Sequence, residues 1–245
     1  MIRIKTLIVA VVAMLAMTVL VSAGPADADA DYARTAAKAQ RFFEQGEWLN
    51  ANAMYLLMLD ARPAEASTYS HAVISNIMAG DTAAVVRLLE QSMKHNVPID
   101  TLLNNVQSLS TKAGISDLYE RLLIALRGHF PWMQRGLNLY LLKYYDFRDN
   151  GPEMVHYATL MLNGKPGDLD FMRVLARGYM LQGQYDDAVK TWSDILEDHP
   201  DNYDTLIDLG NYLWTSGKQD DAIPYLQRAQ AIRPTPYVDK LLKGY

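Results

Sequence analysis

The feature that most constrains the fold of this chain is a glycine that returns at a fixed spacing. Gly46, Gly80 and Gly114 lie thirty-four residues apart, and so do Gly183 and Gly217. Glycine adopts a left-handed backbone at little cost, so each of these positions fits a turn between two helices. A period of this length is typical of stacked two-helix units.

A proline closes each unit, because proline cannot continue the hydrogen-bond ladder of a helix. The prolines are Pro63, Pro98, Pro131, Pro166, Pro200 and Pro234. Between the two glycine series the turn falls around residues 149–151, and one unit, 100–134, is one residue longer than the others. The predicted bounds of the six units are 32–65, 66–99, 100–134, 135–168, 169–202 and 203–236. A last helix over 237–245 would cap the end of the stack.

The sixth unit resembles the tetratricopeptide repeat, which has small residues in both helices, a turn glycine and a closing proline. The residues that carry this resemblance are Leu209, Gly210, Gly217, Ala222, Ala229 and Pro234. The first and fifth units are similar to it as well. The resemblance implies an all-α fold, an α-solenoid in which the repeats form a right-handed superhelix. It also implies a concave surface that is lined by the first helix of each repeat and commonly holds ligand peptides.

The three middle units depart from this pattern. They carry Val73, Gln107 and Leu142 where the family has a small residue in the first helix. Their second helices carry Val85, Tyr119 and Met154 at the position of the usual alanine. Small residues let two helices approach closely, so the bulkier side chains are expected to change the angle or spacing of the helices in these units.

The N-terminus is predicted to be separate from the repeats. Arg3 and Lys5 precede an apolar run over residues 6–21, and small residues near Ala23 fit an export cleavage site, so residues 1–23 read as a signal peptide. The alternative is an uncleaved membrane anchor, since the run is close to the roughly 20 residues that span a bilayer. Residues 24–31 are small and acidic and are expected to form a flexible lead-in.

Composition favours an exported protein that does not bind nucleic acid. The chain has no cysteine, so it is expected to be stable without disulfides, as a domain of this size can be. Cleavage would remove Arg3 and Lys5 and change the formal net charge from -5 to -7. Nucleic-acid binding calls for a basic face, which an acidic body does not favour. The expected location is the bacterial periplasm, or the inner membrane facing the periplasm if the anchor is retained.

No residue pattern predicts catalysis, a metal site or a cofactor. The five histidines are scattered, and none has a second ligand at metal-binding spacing. The acidic pairs at residues 186–187 and 220–221 each open a second helix, where negative charge complements the helix dipole. The glycines mark turns and do not form a phosphate-binding loop. We therefore predict that the chain is not an enzyme.

The candidate site is a cluster on the first helices of the last three repeats. The residues that the repeat register places on the concave surface are Lys143, Arg173, Arg177, Asn211 and Trp214. Arginines four residues apart lie on one helical face and can hold a carboxylate through charge-assisted hydrogen bonds. The cluster resembles the carboxylate clamp with which some family members bind a peptide C-terminus, although that clamp normally begins with lysine and asparagine.

An intramolecular alternative competes with this site. Asp170, Asp204 and Asp208 are close in the repeat register and could neutralise the two arginines by forming salt bridges. If the cluster is free, the resemblance implies a protein or peptide partner, including one with an acidic segment or a C-terminal carboxylate.

Two functions stay open at this point. The first is a non-catalytic interaction module that holds an extended peptide or partner helix in the concave groove, as an adaptor or assembly factor in the cell envelope. The second is a structural subunit that is packed permanently into a larger envelope complex through its other faces. Both follow from the fold, and a fold does not by itself fix a function.

Overall fold

The computed structural model describes residues 25–115 and 117–243, which form thirteen α-helices and one short 3₁₀ turn at Pro131–Met133. The helices are α1 Pro25–Glu44, α2 Trp48–Ala61, α3 Ala66–Met78, α4 Thr82–Lys94, α5 Ile99–Lys112, α6 Leu118–His129, α7 Gln134–Phe147, α8 Gly151–Gly164, α9 Leu169–Leu181, α10 Tyr185–Asp198, α11 Tyr203–Thr215, α12 Gln219–Ile232 and α13 Pro236–Lys243. The predicted fold class, an all-α solenoid of helix–turn–helix repeats, is confirmed. None of the described helices is both long enough and apolar enough to cross a bilayer.

The turns between paired helices have the backbone that the glycine spacing predicts. The turn glycines have positive φ values between 70° and 79° at positions 46, 80, 114, 183 and 217. In the fourth repeat Asp149 takes this role with φ 54°, and Gly151 instead begins α8. Aspartate tolerates the left-handed region better than most residues, which explains why this repeat keeps its turn without a glycine there.

The chain divides into two compact units, residues 1–119 and 120–245. In the first unit, α1 packs on α2, α2 on α3, and α3 on both α4 and α5. An aromatic cluster joins α1, α2 and α3. The centroid of the Phe43 ring lies 5.4 Å from that of Trp48 and 5.1 Å from that of His71. The hydrophobic core of this unit includes Tyr69 and Leu89, which are both fully buried.

In the second unit, each helix from α7 to α11 packs on the helix that follows it, and α13 packs on α12. Its C-terminal core contains Trp192, Leu206, Leu226 and Val238, all buried. Val238 lies on α13, so this last helix covers apolar surface that the preceding pair would otherwise expose.

Large side chains fill the middle of the chain where the family has small ones. Leu142 and Met154 are buried, and the Tyr145 hydroxyl donates to Glu120 at 2.5 Å. Tyr145 also stacks on Tyr157 with 5.5 Å between ring centroids. The departure from the family pattern is therefore accommodated by aromatic packing and a hydrogen bond across the helices.

The N-terminal helix begins earlier than the sequence predicts. Helix α1 starts at Pro25, so residues 25–31, which are expected to form a flexible lead-in, are helical. The Arg62 guanidinium donates to Asp29 at 2.8 Å and lies 3.8 Å from the centroid of the Tyr32 ring, so it holds this part of α1 against the end of α2. The predicted signal peptide over residues 1–23 lies outside the described residues.

Candidate functional site

Three adjoining cavities follow the first helices α7, α9 and α11 of the second unit. Their volumes are about 280, 310 and 300 Å³. The first and second share Asp146, Asp170 and Val174, and the second and third share Arg177 and Asp208. Since neighbouring cavities share lining residues, they lie side by side across three repeats, and we call this row of cavities the groove.

Arg177 connects α9 to the end of α7. Its Nη1 donates to the Asp146 carboxylate and, at 3.0 Å, to the Asp146 carbonyl, while its Nη2 donates to the Asp149 carboxylate. Asp149 is the residue with the left-handed turn backbone. The same guanidinium therefore joins the last turn of α7 and the turn that follows it.

Arg173 makes the equivalent connection from α9 to α11. Its Nη1 donates to Asp204 at 3.1 Å, and its Nη2 lies 3.6 Å from Asp208, both on α11. Arg233 adds a second cation at 3.5 Å from Asp204. The two arginines thus engage four aspartates and tie the three first helices together, which is the intramolecular arrangement that competes with ligand binding.

The remaining candidate residues occupy different environments. Lys143 is exposed in the first cavity and has no ion pair with any described residue. Asn211 lines the third cavity beside Arg177, and its Oδ1 accepts from the Tyr237 hydroxyl of α13 at 3.0 Å. Trp214 packs against the hydrophobic core of this unit. The structure therefore brings Lys143, Arg173, Arg177 and Asn211 to the groove and places Trp214 against the core.

Several groove residues were not among the sequence-predicted candidates. Asp146 and Asp149 form ion pairs with Arg177, Trp192 lines the third cavity, and the Tyr237 hydroxyl donates to Asn211. The sequence did carry one signal for the aspartates. Asp146 precedes Arg177 by 31 residues, and Arg173 precedes Asp204 by 31, which is one repeat less one helical turn.

Burial gives Asp208 a pKa above its ordinary value of 3.8, despite the opposing effect of the Arg173 charge. The folded protein therefore binds this proton more tightly than the unfolded chain does. The protonated Asp208 therefore stabilises the fold at low pH. This stabilisation is lost as the pH rises from 3.8 through the raised pKa of Asp208. Asp168 has the opposite shift: the hydrogen bond from Lys165 lowers its pKa, so its contribution is present above 3.8 and is lost as the pH falls.

We expect Asp208→Asn to remove the fall in stability between pH 3.8 and the raised pKa, because asparagine does not ionise. Urea unfolding at a series of pH values, followed by tryptophan fluorescence, measures this slope. Asp168→Asn is the matched control: it keeps a residue that caps helices well and should instead reduce the loss of stability at acid pH. An unchanged slope in Asp208→Asn would contradict the role of burial.

Comparison with known proteins gives a family for the C-terminal repeats. The tetratricopeptide repeat model matches residues 173–236. The fold is similar to a tetratricopeptide repeat protein from Parabacteroides merdae, with 15% identity over 86% of this chain and 84% of that one and a TM-score of 0.48. It is also similar to the C-terminal part of a repeat protein of the same kind from Cytophaga hutchinsonii, with 14% identity, 79% and 77% coverage and a TM-score of 0.47.

A third similar structure is MamA AMB-1, with 18% identity over 67% of this chain and 96% of that one and a TM-score of 0.46. No curated protein matches the chain. The spacing, the left-handed turns and the family match agree with one another over the last two repeats. Residues 173–236, the last two repeats, therefore belong to the tetratricopeptide repeat family.

Proposed function

We propose that this chain is a non-catalytic interaction module that holds an extended peptide or a partner helix in the groove of α7, α9 and α11. The observation that carries the proposal is the row of three neighbouring cavities along successive first helices. An extended segment of several residues can place successive side chains in such a row of cavities, whereas a single small cavity would suit only one side chain. Tetratricopeptide repeat proteins bind protein partners in general, which supports the same assignment.

The charges in the groove bear on what the partner can be. The lining contains Lys143, Arg173 and Arg177, together with four aspartates: Asp146, Asp168, Asp170 and Asp208. An acidic segment or a C-terminal carboxylate would compete with the paired aspartates for either arginine. Lys143 is the candidate cation that such a group could reach without breaking an ion pair.

Apolar contacts therefore have the larger part in the proposed binding. Leu139, Val174 and Met180 line successive sections of the groove and are half-buried in the absence of a partner. Covering apolar surface of this kind contributes about 25 cal/mol per Å². The paired charges between them would set the register of the bound segment rather than its affinity.

The proposed setting is the cell envelope, where the module would act as an adaptor or assembly factor. This part of the proposal depends on the predicted signal peptide at residues 1–23, and a retained anchor would place the module on the inner membrane. The second candidate function is a structural subunit of an envelope complex. The exposed apolar side chains outside the groove, such as Ile124 at 49% and Trp132 at 71%, favour it as an alternative.

A variant that fills the groove without touching the ion pairs tests the proposal. Val174→Trp adds a large side chain where the first two cavities meet. We expect recovery of the co-purifying partner to fall at least about tenfold, which corresponds to ~1.4 kcal/mol. Recovery is measured by quantitative mass spectrometry after affinity capture of the tagged chain from its native cell.

Lys190→Trp is the matched control, because Lys190 is exposed on the second helix α10. Both variants should melt close to the unmodified protein. Alanine substitution of Arg173 and Arg177 is a weaker test, since it also removes the ties between the helices. Unchanged recovery in a folded Val174→Trp protein would exclude the groove.

A further inference from the structure

The outer face of α2, in the first unit, is apolar and exposed. Leu49 is 72% exposed, Leu56 40% and Leu57 46%, and Ala53 between them is exposed as well. Spacings of three and four residues place these side chains on one side of the helix, which we call the α2 stripe. The opposite side is buried in the unit through Ala51, Tyr55, Met58 and Leu59. A helix that is apolar on both sides is typically covered on both sides.

The two ends of the stripe are electrostatically complementary. At the C-terminal end, Asp60 is exposed on the same face. At the N-terminal end, Glu47 provides no side-chain cap for α2, because its carboxylate accepts instead from Asn50 Nδ2 at 2.7 Å. The first N–H groups of a helix carry partial positive charge and attract a carboxylate. One end of α2 thus carries the charge that the other end attracts.

A cavity of about 420 Å³ adjoins that N-terminal end. It is lined by Gly46, Glu47, Trp48, Leu49, Asn50 and Ala79. Its position beside Leu49 places it at one end of the stripe. It can therefore receive the end of a second helix that lies along the stripe.

The order of residues in the stripe is self-complementary. Leu49 and Leu57 are each four residues from Ala53, so this part of the stripe reads the same in both directions. Two copies of α2 that run antiparallel about Ala53 would place Leu49 of one copy opposite Leu57 of the second copy. The small alanine at the centre would let the two helices approach closely. The same arrangement would bring Asp60 of each copy to the N-terminal end of α2 in the other.

We propose that the α2 stripe is the interface of a two-fold symmetric dimer, and that a second copy of this chain covers it. Such an interface is closed, because each copy presents the same patch to the other. The surface lies in the first unit, whereas the groove lies in the second. The dimer is therefore independent of the proposed peptide binding and can be tested without a known partner.

The absence of cysteine from the sequence permits a direct test in cells that produce the full chain. Ala53→Cys should form a disulfide-linked dimer on mild oxidation, because the two-fold axis would bring the two Cα atoms to roughly the 6 Å that a disulfide needs. A mixture of Leu49→Cys and Leu57→Cys should crosslink at least ten times more than either alone. Identical residues at these positions would be separated by about 12 Å along the helix axes. Products are separated on a non-reducing gel.

Ala83→Cys, at an exposed position on α4, is the control and should stay monomeric. A second readout is Leu57→Glu, which should shift the sedimentation of the chain from dimer to monomer. The proposal is overturned if Ala53→Cys gives no linked dimer, as expected if a membrane or a different protein covers the stripe. It is equally overturned if Leu49→Cys links to itself as readily as to Leu57→Cys, since that indicates a parallel or non-specific contact.

Discussion

Gly178→Val is expected to lower the free energy of unfolding by about 3 kcal/mol, because α8 and α9 approach each other too closely at this glycine for a side chain. A Cβ atom at Gly178 would lie 3.0 Å from the Val155 Cγ2, 3.1 Å from the Met154 Cβ and 3.2 Å from the Gly151 carbonyl oxygen. Two of these three atoms belong to the backbone or lie next to it, so they cannot move aside as the tip of a flexible side chain can. Valine adds two further methyl groups in the same space.

The matched control is Gly136→Val in α7, where an added Cβ would meet nothing within 4 Å. Glycine and valine both have modest helix propensity, so this change should alter stability by no more than about 0.5 kcal/mol. Urea unfolding of both variants measures the difference. Equal effects at the two positions would contradict the close contact between α8 and α9.

Trp192→Ala is the second substitution for which we expect a large effect, about 4 kcal/mol. Trp192 is 4% exposed in the core of the second unit, and its ring centroid lies 6.0 Å from that of Tyr212. The cost combines the lost burial of the ring with the cavity that alanine leaves. Because Trp192 also lines the third cavity, the substitution would widen the groove at its α11 end.

Trp192→Phe separates packing from hydrogen bonding at the same position. The Trp192 Nε1 has no hydrogen-bond partner in the described part of the chain. Phenylalanine keeps most of the ring contacts and breaks no hydrogen bond, so its cost should be less than half that of alanine. Thermal or urea unfolding of the two variants gives the ratio. If Trp192→Phe is as destabilising as Trp192→Ala, a polar contact of the indole must be important.

The period of the sequence was sufficient to predict the turns between paired helices. A turn every thirty-four residues requires glycine or a residue that tolerates the left-handed backbone, and Asp149 satisfies this requirement in the fourth repeat. The start of α1 was not predictable in this way. Residues 25–31 are small and acidic, and what holds their helix is Arg62, which is more than thirty residues further along the chain.

The sequence also predicted that Arg173 and Arg177 would lie on the groove, but it could not decide between a ligand and an internal partner. That choice depends on how far each first helix is shifted along its neighbour. The structure shows a shift that places Asp204 beside Arg173 and Asp146 beside Arg177. A repeat register defines which face a residue occupies, but it does not define this shift to within one helical turn.

The contacts between helices in the middle repeats could not be predicted from the sequence either. The presence of Tyr119 and Met154 in place of alanine indicated that the helices would be spaced differently there. It did not indicate that Tyr145 would donate to Glu120 and stack on Tyr157. These contacts are made between helices whose relative rotation depends on all the side chains between them, so no single substitution predicts them.

Partner binding in the groove is tested most directly by site-specific photo-crosslinking in the native cell. A photoreactive amino acid at Met180 would lie in the third cavity, whereas one at Ser193 would lie exposed on the second helix α10. We expect a protein adduct from Met180 and none from Ser193. An adduct from Ser193 with none from Met180 would contradict groove binding and would favour a subunit that is packed through its second helices.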